Sequence, residues 1–346
     1  MKKRNADLTP GMANTRATPR RGKQKDEEGY GQGVVTLSLD DDVLLDEDAL
    51  TARLLEVFAD PSYQPPTLPS IATELMTLSQ DPNANIDSVA NLLEQDAFIA
   101  GRVMKIVRSP VYLSASEVPS LQNAVMRLGL DTLRDIVLEI CMNLRVFQAD
   151  AYTDTMERLR QHATFVGHVS RMLCRTTGLD SEYAFLCGLL HDVGIAGSLI
   201  ALCEGTNKEL RPDLIAAWPA IDRAHGEAGS LMVKLWDLPP AVRDSVKLHH
   251  QVWDNGAPDS MAAVVCLADE LAHELGFSVV APEGDTIDGV EDEFEAACLQ
   301  SHTAVDRSTP KTLERCREVL RLSDEDLEGV RERAGTLAEA LKDSGG

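Results

Sequence analysis

Residues 185–194 read Phe-Leu-Cys-Gly-Leu-Leu-His-Asp-Val-Gly, an apolar run that ends in the adjacent pair His191-Asp192. The run is typical of a helix, and the pair places an imidazole and a carboxylate at its end. Both groups are ligands for divalent metal ions. A His-Asp dipeptide alone has little meaning, so its value depends on what the rest of the chain supplies.

The composition favours helices packed on helices. Hydrophobic residues make up 44% of the 346 residues but aromatic residues only 4%, whereas a sheet protein would use more aromatic and β-branched residues. The helical period also dominates from about residue 48 onward. We therefore predict an all-α protein with an N-terminal helical bundle packed on a second helical bundle.

Charge and cysteine usage exclude several classes. The net charge of −23 argues against direct nucleic-acid binding, because phosphates would be repelled by most of the surface. The cysteines have no paired spacing, which is typical of reduced, buried thiols in the cytoplasm. No apolar run approaches the roughly 20 residues of a membrane span, and no apolar region follows the basic N-terminus. The expectation is a cytoplasmic protein without a membrane span.

Four regions are predicted along the chain. Residues 1–47 form a flexible tail, which is locally basic up to about residue 33 and has a weak strand pattern at residues 34–39. Residues 48–150 form a first helical half of five or six helices. Residues 151–276 form a second half with helices near 155–177, 181–191, 207–217, 222–235, 239–250 and 259–275. Residues 277–346 supply a loop and two terminal helices.

The remaining parts of a metal site lie within the second half. His162 precedes His191 by 29 residues, which suffices for one helix, a turn at residues 177–179 and an antiparallel helix. Asp269 lies on a later helix whose apolar face would pack against the first two. Imidazole and carboxylate ligands suit iron, manganese or zinc, so we expect divalent metal ions, with iron or manganese favoured.

At this point the chain resembles the HD superfamily of metal-dependent phosphohydrolases, whose H…HD…D pattern is matched by His162, His191-Asp192 and Asp269. It resembles in particular the HDOD (HD-related output domain) family of bacterial signalling proteins, over residues 60–275. The blocks that carry this second resemblance are Leu68-Pro69-Ser70, residues 92–96 (LLEQD), residues 124–129 (AVMRLG), residues 184–194 (AFLCGLLHDVG) and residues 236–239 (WDLP).

A further resemblance is to the HD-GYP branch, whose members bind two or three metals and hydrolyse cyclic dinucleotides. It implies that His225 and the doublet His249-His250 are additional ligands. The doublet can face one site only if it lies at a helix end, because adjacent helical residues point about 100° apart.

This chain departs from the HD-GYP pattern at three places. Ile195 replaces a lysine that holds phosphate, and Arg158 replaces a glutamate ligand of trinuclear members. The signature loop is reduced to Gly256-Ala257-Pro258. These departures count against efficient cleavage of cyclic dinucleotides more than against metal binding.

Several neighbouring residues receive other roles. His168 is predicted not to be a ligand, because it lies on a different helical face from His162. His273 follows Asp269 by four residues and is either a partner of that ligand or simply exposed. Glu227 either orients His225 or lies in solvent. The three tryptophans, Trp218, Trp236 and Trp253, are expected to anchor the core.

The sequence leaves more than one function open. In the first, a signalling protein with an HD-type metal site acts by binding a nucleotide ligand or signalling partner proteins. In the second, a metal-dependent phosphohydrolase or phosphodiesterase acts on a nucleotide or cyclic dinucleotide, with Asp192 and His191 as catalytic residues and Asp192 bridging two metals. A purely structural scaffold is a third, and it predicts that the seven candidate ligands are dispersed.

Overall fold

Helices account for nearly all regular structure in the computed structural model. It describes residues 46–79, 81, 83–109, 111–112, 118–149, 151–180, 182–205, 214–254, 256–279 and 310–344. Within these ranges the all-α prediction is confirmed. The predicted tail up to residue 45, the strand pattern at 34–39 and most of the predicted loop after residue 277 lie outside them. The boundaries proposed near residues 150 and 276 stay predictions.

The first half contains six short helices, at the upper end of the predicted number. Side-chain caps begin several of them; for example, Asp96 accepts hydrogen bonds from the amides of Phe98 and Ile99. The six helices are α1 (Glu47–Ala59), α2 (Ser70–Ser79), α3 (Ile86–Glu94), α4 (Ala97–Val107), α5 (Leu121–Leu128) and α6 (Leu130–Arg145).

The second half and the C-terminal region continue the helical pattern. The helices are α7 (Thr153–Thr177), α8 (Ala184–Leu190), α9 (Val193–Gly205), α10 (Leu214–Leu235), α11 (Pro240–Leu248), α12 (Ser260–Glu274), α13 (Pro310–Leu320) and α14 (Asp324–Ser344). Between α11 and α12, the two-residue strands β1 (Trp253–Asp254) and β2 (Ala257–Pro258) form an antiparallel pair.

Several local predictions were wrong. Helix α9 was not predicted. Helix α10 begins at Leu214 rather than near residue 222, although Pro219 lies inside it. Residues 206–213, where a separate helix was expected to begin, lie outside the described ranges.

The turn between α7 and α8 brings two candidate ligands together. Gly178 ends α7 in a left-handed conformation, with φ of 71°, and the chain reverses direction. Gly188 in α8 then lies against α7, so closely that a Cβ atom there would come within 2.7 Å of the Gly167 Cα and the Val166 carbonyl oxygen. This contact sets the spacing at which His191 meets His162.

A buried ion-pair network joins α6 to α7. The carboxylate of Asp135 on α6 pairs with Arg134 at 3.2 Å and with Arg171 on α7. One turn farther along α6, burial raises the pKa of Glu139 to about 7, and the Thr164 hydroxyl of α7 lies 3.5 Å from its carboxylate. Breaking such a network leaves an uncompensated buried charge, so α7 is held firmly against the first half.

One apolar stretch reaches the length and hydropathy of a membrane span, contrary to the sequence expectation. Residues 184–203 have a mean hydropathy of 1.8, and 94% of the stretch is buried inside the protein. It comprises α8, the His191-Asp192 turn and most of α9. The apolar composition of this stretch is explained equally well by a core segment as by a membrane span, since neighbouring helices cover it.

The tryptophans do not behave alike. Trp218 is buried in the core, as predicted. Trp236 is half-buried and donates a hydrogen bond from Nε1 to the Pro66 carbonyl oxygen at 2.9 Å. Trp253 is 43% exposed in the two-residue strand β1, so its prediction as a core anchor was wrong.

Candidate metal centre

All seven predicted ligands converge in one cluster. They come from α7, the turn after α8, α10, the turn after α11, and α12. Their ligand atoms fall into overlapping groups that could hold a metal ion. We name two candidate sites: the first metal position denotes His162, His191 and Asp192 together with Asp269, which contacts His162, and the second metal position denotes Asp192, His225, His249 and His250. The dispersal that a structural scaffold predicts is not observed.

The first metal position is built around His162. Its Nε2 lies 3.2 Å from His191 Nε2 and 3.2 Å from an Asp269 carboxylate oxygen. Asp192 closes the set, with Oδ2 at 3.3 Å from His191 Nε2 and 3.8 Å from His162 Nε2. Ligands at about 2.1 Å from one ion lie roughly 3.0–3.4 Å apart, depending on the bond angle. His191 Nε2 and the Asp269 carboxylate oxygen are 3.9 Å apart, so three of these five separations lie in that range.

The second metal position lies on the other side of the same carboxylate. Asp192 Oδ1 is 3.4 Å from His225 Nε2 and 3.5 Å from His249 Nε2. His225 Nε2 in turn lies 3.3 Å from His249 Nε2 and 3.2 Å from His250 Nε2. Helix α11 ends at Leu248, so both members of the doublet lie at the helix end, as their joint use requires.

Four imidazoles are held in the same way. The Nδ1 atoms of His162, His191, His225 and His249 lie 2.5–2.8 Å from backbone carbonyl oxygens of Phe277, Gly188, Asp222 and Val246. A carbonyl oxygen can only accept, so each Nδ1 carries the proton and each Nε2 points its lone pair into the cluster. Lone pairs about 3.2 Å apart repel unless a cation or a proton lies between them.

The electrostatics of the cluster point the same way. Burial alone would raise the pKa of Asp192, but the imidazoles of His191, His249 and His225 hold it well below its usual value. Burial would likewise lower the pKa of His191, but the Asp192 and Asp269 carboxylates raise it to about 9. A divalent cation bound at His191 Nε2 would displace the proton that this raised pKa favours.

The donor chemistry of the cluster suits a divalent metal ion. The cluster offers nitrogen and oxygen atoms, and no cysteine belongs to any ligand group among the described residues. Iron, manganese and zinc all accept such donors, whereas thiolate-rich sites select other ions. The His/Asp cluster is compatible with a metal site.

Two of the neighbouring residues have partners of their own. Glu227 pairs with Lys247 at 2.6 Å, so its carboxylate is engaged outside the cluster. Arg158 donates from Nε to the Val279 carbonyl oxygen at 2.9 Å. No local pattern predicts this second contact, because the two residues are 121 positions apart.

His168 lies outside the metal cluster, as predicted. Its ring packs edge-on against the Phe185 ring, with the two centroids 5.0 Å apart. The centroid of the Tyr112 ring lies 5.9 Å from that of His168. Burial lowers the pKa of His168 to about 4, so the folded protein keeps this imidazole neutral.

This burial predicts an acid-dependent loss of stability. Below pH 6.5 the unfolded chain binds a proton at residue 168 that the folded chain does not, so stability falls as the pH decreases toward about 4. The slope contributed is at most roughly 1.4 kcal/mol per pH unit. We expect urea midpoints of the wild type to fall more steeply between pH 7.5 and 5 than those of His168→Leu. Equal slopes would contradict the assignment.

Comparison with known proteins finds relatives in sequence and in structure. An uncharacterized protein of Treponema pallidum (strain Nichols) is 26% identical over an alignment of 211 residues, and the match covers 58% of this chain and 40% of that protein. The chain thus spans less than half of this relative's length.

Two crystal structures share the fold. An HDOD domain protein of unknown function from Geobacter sulfurreducens matches with a TM-score of 0.54 and 24% identity, over 84% of this chain and 98% of that one. A protein of Shewanella amazonensis SB2B called a "Putative metal-dependent phosphohydrolase" matches with a TM-score of 0.55 and 20% identity, over 86% of this chain and 98% of that one. At these identities the likeness concerns the fold.

A match to one protein family covers more of the chain than the separate motifs do. The family model described as "HDOD domain" matches residues 66–252, which is more than half of the chain. This range includes six of the seven clustered ligands; Asp269 follows it on α12. The chain belongs to the HDOD family.

Proposed function

We propose that this chain is a cytosolic signalling protein that holds divalent metal ions in its second half and acts through binding a nucleotide ligand or partner proteins. The observation that carries the proposal is the convergence of four imidazoles, each tied through Nδ1 to a backbone carbonyl and each presenting Nε2 to Asp192 or Asp269. Membership in the HDOD family supports the signalling role.

The residue at position 195 supports binding rather than turnover. Ile195 is buried in α9, three residues after Asp192, where the resemblance to the HD-GYP branch would place a phosphate-holding lysine. An aliphatic side chain supplies neither the charge nor the hydrogen bonds that a developing phosphate anion requires.

A second candidate is a phosphohydrolase or phosphodiesterase acting on a nucleotide or cyclic dinucleotide. It is favoured by the position of Asp192, whose two oxygens face different histidine pairs, as in a carboxylate shared by two metals. Bound metals would supply an activated water and neutralise charge in the transition state. The chain itself would hold the ligands rigidly, with the His191 tautomer fixed by the Gly188 carbonyl.

Two measurements on one preparation separate these candidates. Elemental analysis of protein purified without chelator should find divalent metal, and equilibrium dialysis should detect binding of a nucleotide or cyclic dinucleotide without turnover. Metal-dependent turnover that disappears in Asp192→Ala would establish the second candidate instead. Protein that neither retains metal nor binds it on addition would overturn both.

A further inference from the structure

His273 is placed beside the first metal position. It follows Asp269 by one turn of α12, and its Nε2 lies 3.2 Å from the same Asp269 oxygen that contacts His162. The rings of His273 and His162 are 5.3 Å apart, close to the 5.1 Å between those of His162 and His191. The His162, Asp269 and His273 ligand atoms lie within 4.8 Å of one another.

The His273 ring is also oriented by a hydrogen bond on the nitrogen that faces away from Asp269. Its Nδ1 forms a 2.9 Å hydrogen bond with the Ser278 hydroxyl. Ser278 belongs to residues 277–279, here called the strap. Each residue of the strap forms a hydrogen bond with a different side chain. His162 bonds to the Phe277 carbonyl oxygen, His273 to Ser278, and Arg158 to the Val279 carbonyl oxygen. His273 therefore resembles the four buried imidazoles, because one nitrogen is held and the other faces a ligand oxygen.

His273 differs from those four imidazoles in its exposure. They are at most 2% exposed, whereas the His273 side chain is 37% exposed. Asp269 is buried, so its contact with His273 is not a simple surface i,i+4 pair, which would be worth only a few tenths of a kcal/mol. Such a pair also requires neither the Ser278 hydrogen bond nor an Asp269 oxygen shared with His162.

We propose that His273 is a further ligand of the first metal position, on its solvent side, and that Ser278 orients it. The proposal rests on the proposed metal binding. The ligand atom of His273 lies within 4.8 Å of those of His162 and Asp269, and His162 also belongs to the group formed with His191 and Asp192. A further imidazole keeps the donor set nitrogen- and oxygen-based, which suits manganese or iron.

The test compares metal binding by the full chain and three variants. In His273→Ala we expect the Mn²⁺ dissociation constant of the first metal position to rise about tenfold or more, with a smaller rise in Ser278→Ala. Glu274→Gln is the matched control, because Glu274 follows His273 in α12 and forms a surface pair with Arg331. This substitution should change the Mn²⁺ affinity less than about twofold.

Cobalt spectra distinguish a ligand from a residue that only supports Asp269. The visible bands of bound Co²⁺ depend on which donor atoms surround it. Replacing a coordinated ring nitrogen by water in His273→Ala should therefore shift these bands, and added imidazole should reverse the shift. Wild-type affinity and an unchanged spectrum in His273→Ala, in protein that still binds metal, would overturn the proposal. Loss of all binding in the wild type would instead refute the metal site itself.

Discussion

Asp192→Asn is expected to lose metal from both positions at once. The two carboxylate oxygens of Asp192 lie 3.3 Å from His191 Nε2 and 3.4 Å from His225 Nε2, so one side chain serves both ligand sets. Asparagine keeps the shape but removes the negative charge and replaces one oxygen by an amide nitrogen, which does not bind metal. Since even outer residues change metal affinity by 10–100-fold, we expect at least a tenfold loss at each position.

The measurement is metal content per chain by elemental analysis, with circular dichroism to verify folding. Glu227→Gln is the matched control, because it neutralises a carboxylate two residues from His225 that is engaged with Lys247 outside the cluster. The control should retain wild-type metal. If Asp192→Asn kept one ion at full occupancy and wild-type affinity, Asp192 would not be shared.

The second large effect concerns Gly194, where α9 meets α10. A Cβ atom at residue 194 would lie 2.0 Å from the His225 carbonyl oxygen and 2.7 Å from the Gly229 amide nitrogen. These are backbone atoms, so no side-chain rotation relieves the clash and the two helices must separate. Overpacking of this kind costs about 3 kcal/mol or more. In Gly194→Ala we expect that loss of stability, together with weaker metal binding as His225 moves away from Asp192.

Urea denaturation in the presence of chelator isolates the folding effect, and elemental analysis then reports the metal. Gly101→Ala provides the control, because no heavy atom lies within 4 Å of a Cβ at that position of α4. Alanine is the better helix former, so this control should be neutral or more stable by up to about 1 kcal/mol. Wild-type stability in Gly194→Ala would show that the helices do not approach as described.

Local spacing predicted much of the candidate site. A helix, a turn and a returning helix place His162 next to His191, and both the length between them and the residues of the turn are visible in the sequence. The sequence also predicted that His249 and His250 lie at a helix end, because only there can both side chains face one site. His273 was also visible as a neighbour of Asp269, because positions i and i+4 share a helical face. Whether these residues bind metal stays a prediction.

Other features escaped prediction for physical reasons. Helix α9 is apolar on nearly every side because it is buried on nearly every side, so it lacks the amphipathic period that identifies helices. The sequence identified Arg158 only as the replacement of a glutamate ligand, and the structure adds that its Nε donates to the Val279 carbonyl oxygen. No local rule relates residues so far apart in the chain; only the packing of α7 against the strap does.

The apolar segment that carries the His191-Asp192 turn also has a consequence for biogenesis. Before the chain has folded, residues 184–203 are a stretch with the length and hydropathy of a bilayer-spanning helix. Until α7, α10 and α11 cover it, the nascent chain exposes a surface that favours self-association and chaperone capture. Variants that slow this covering should therefore accumulate as aggregates during synthesis, even when the finished fold tolerates them.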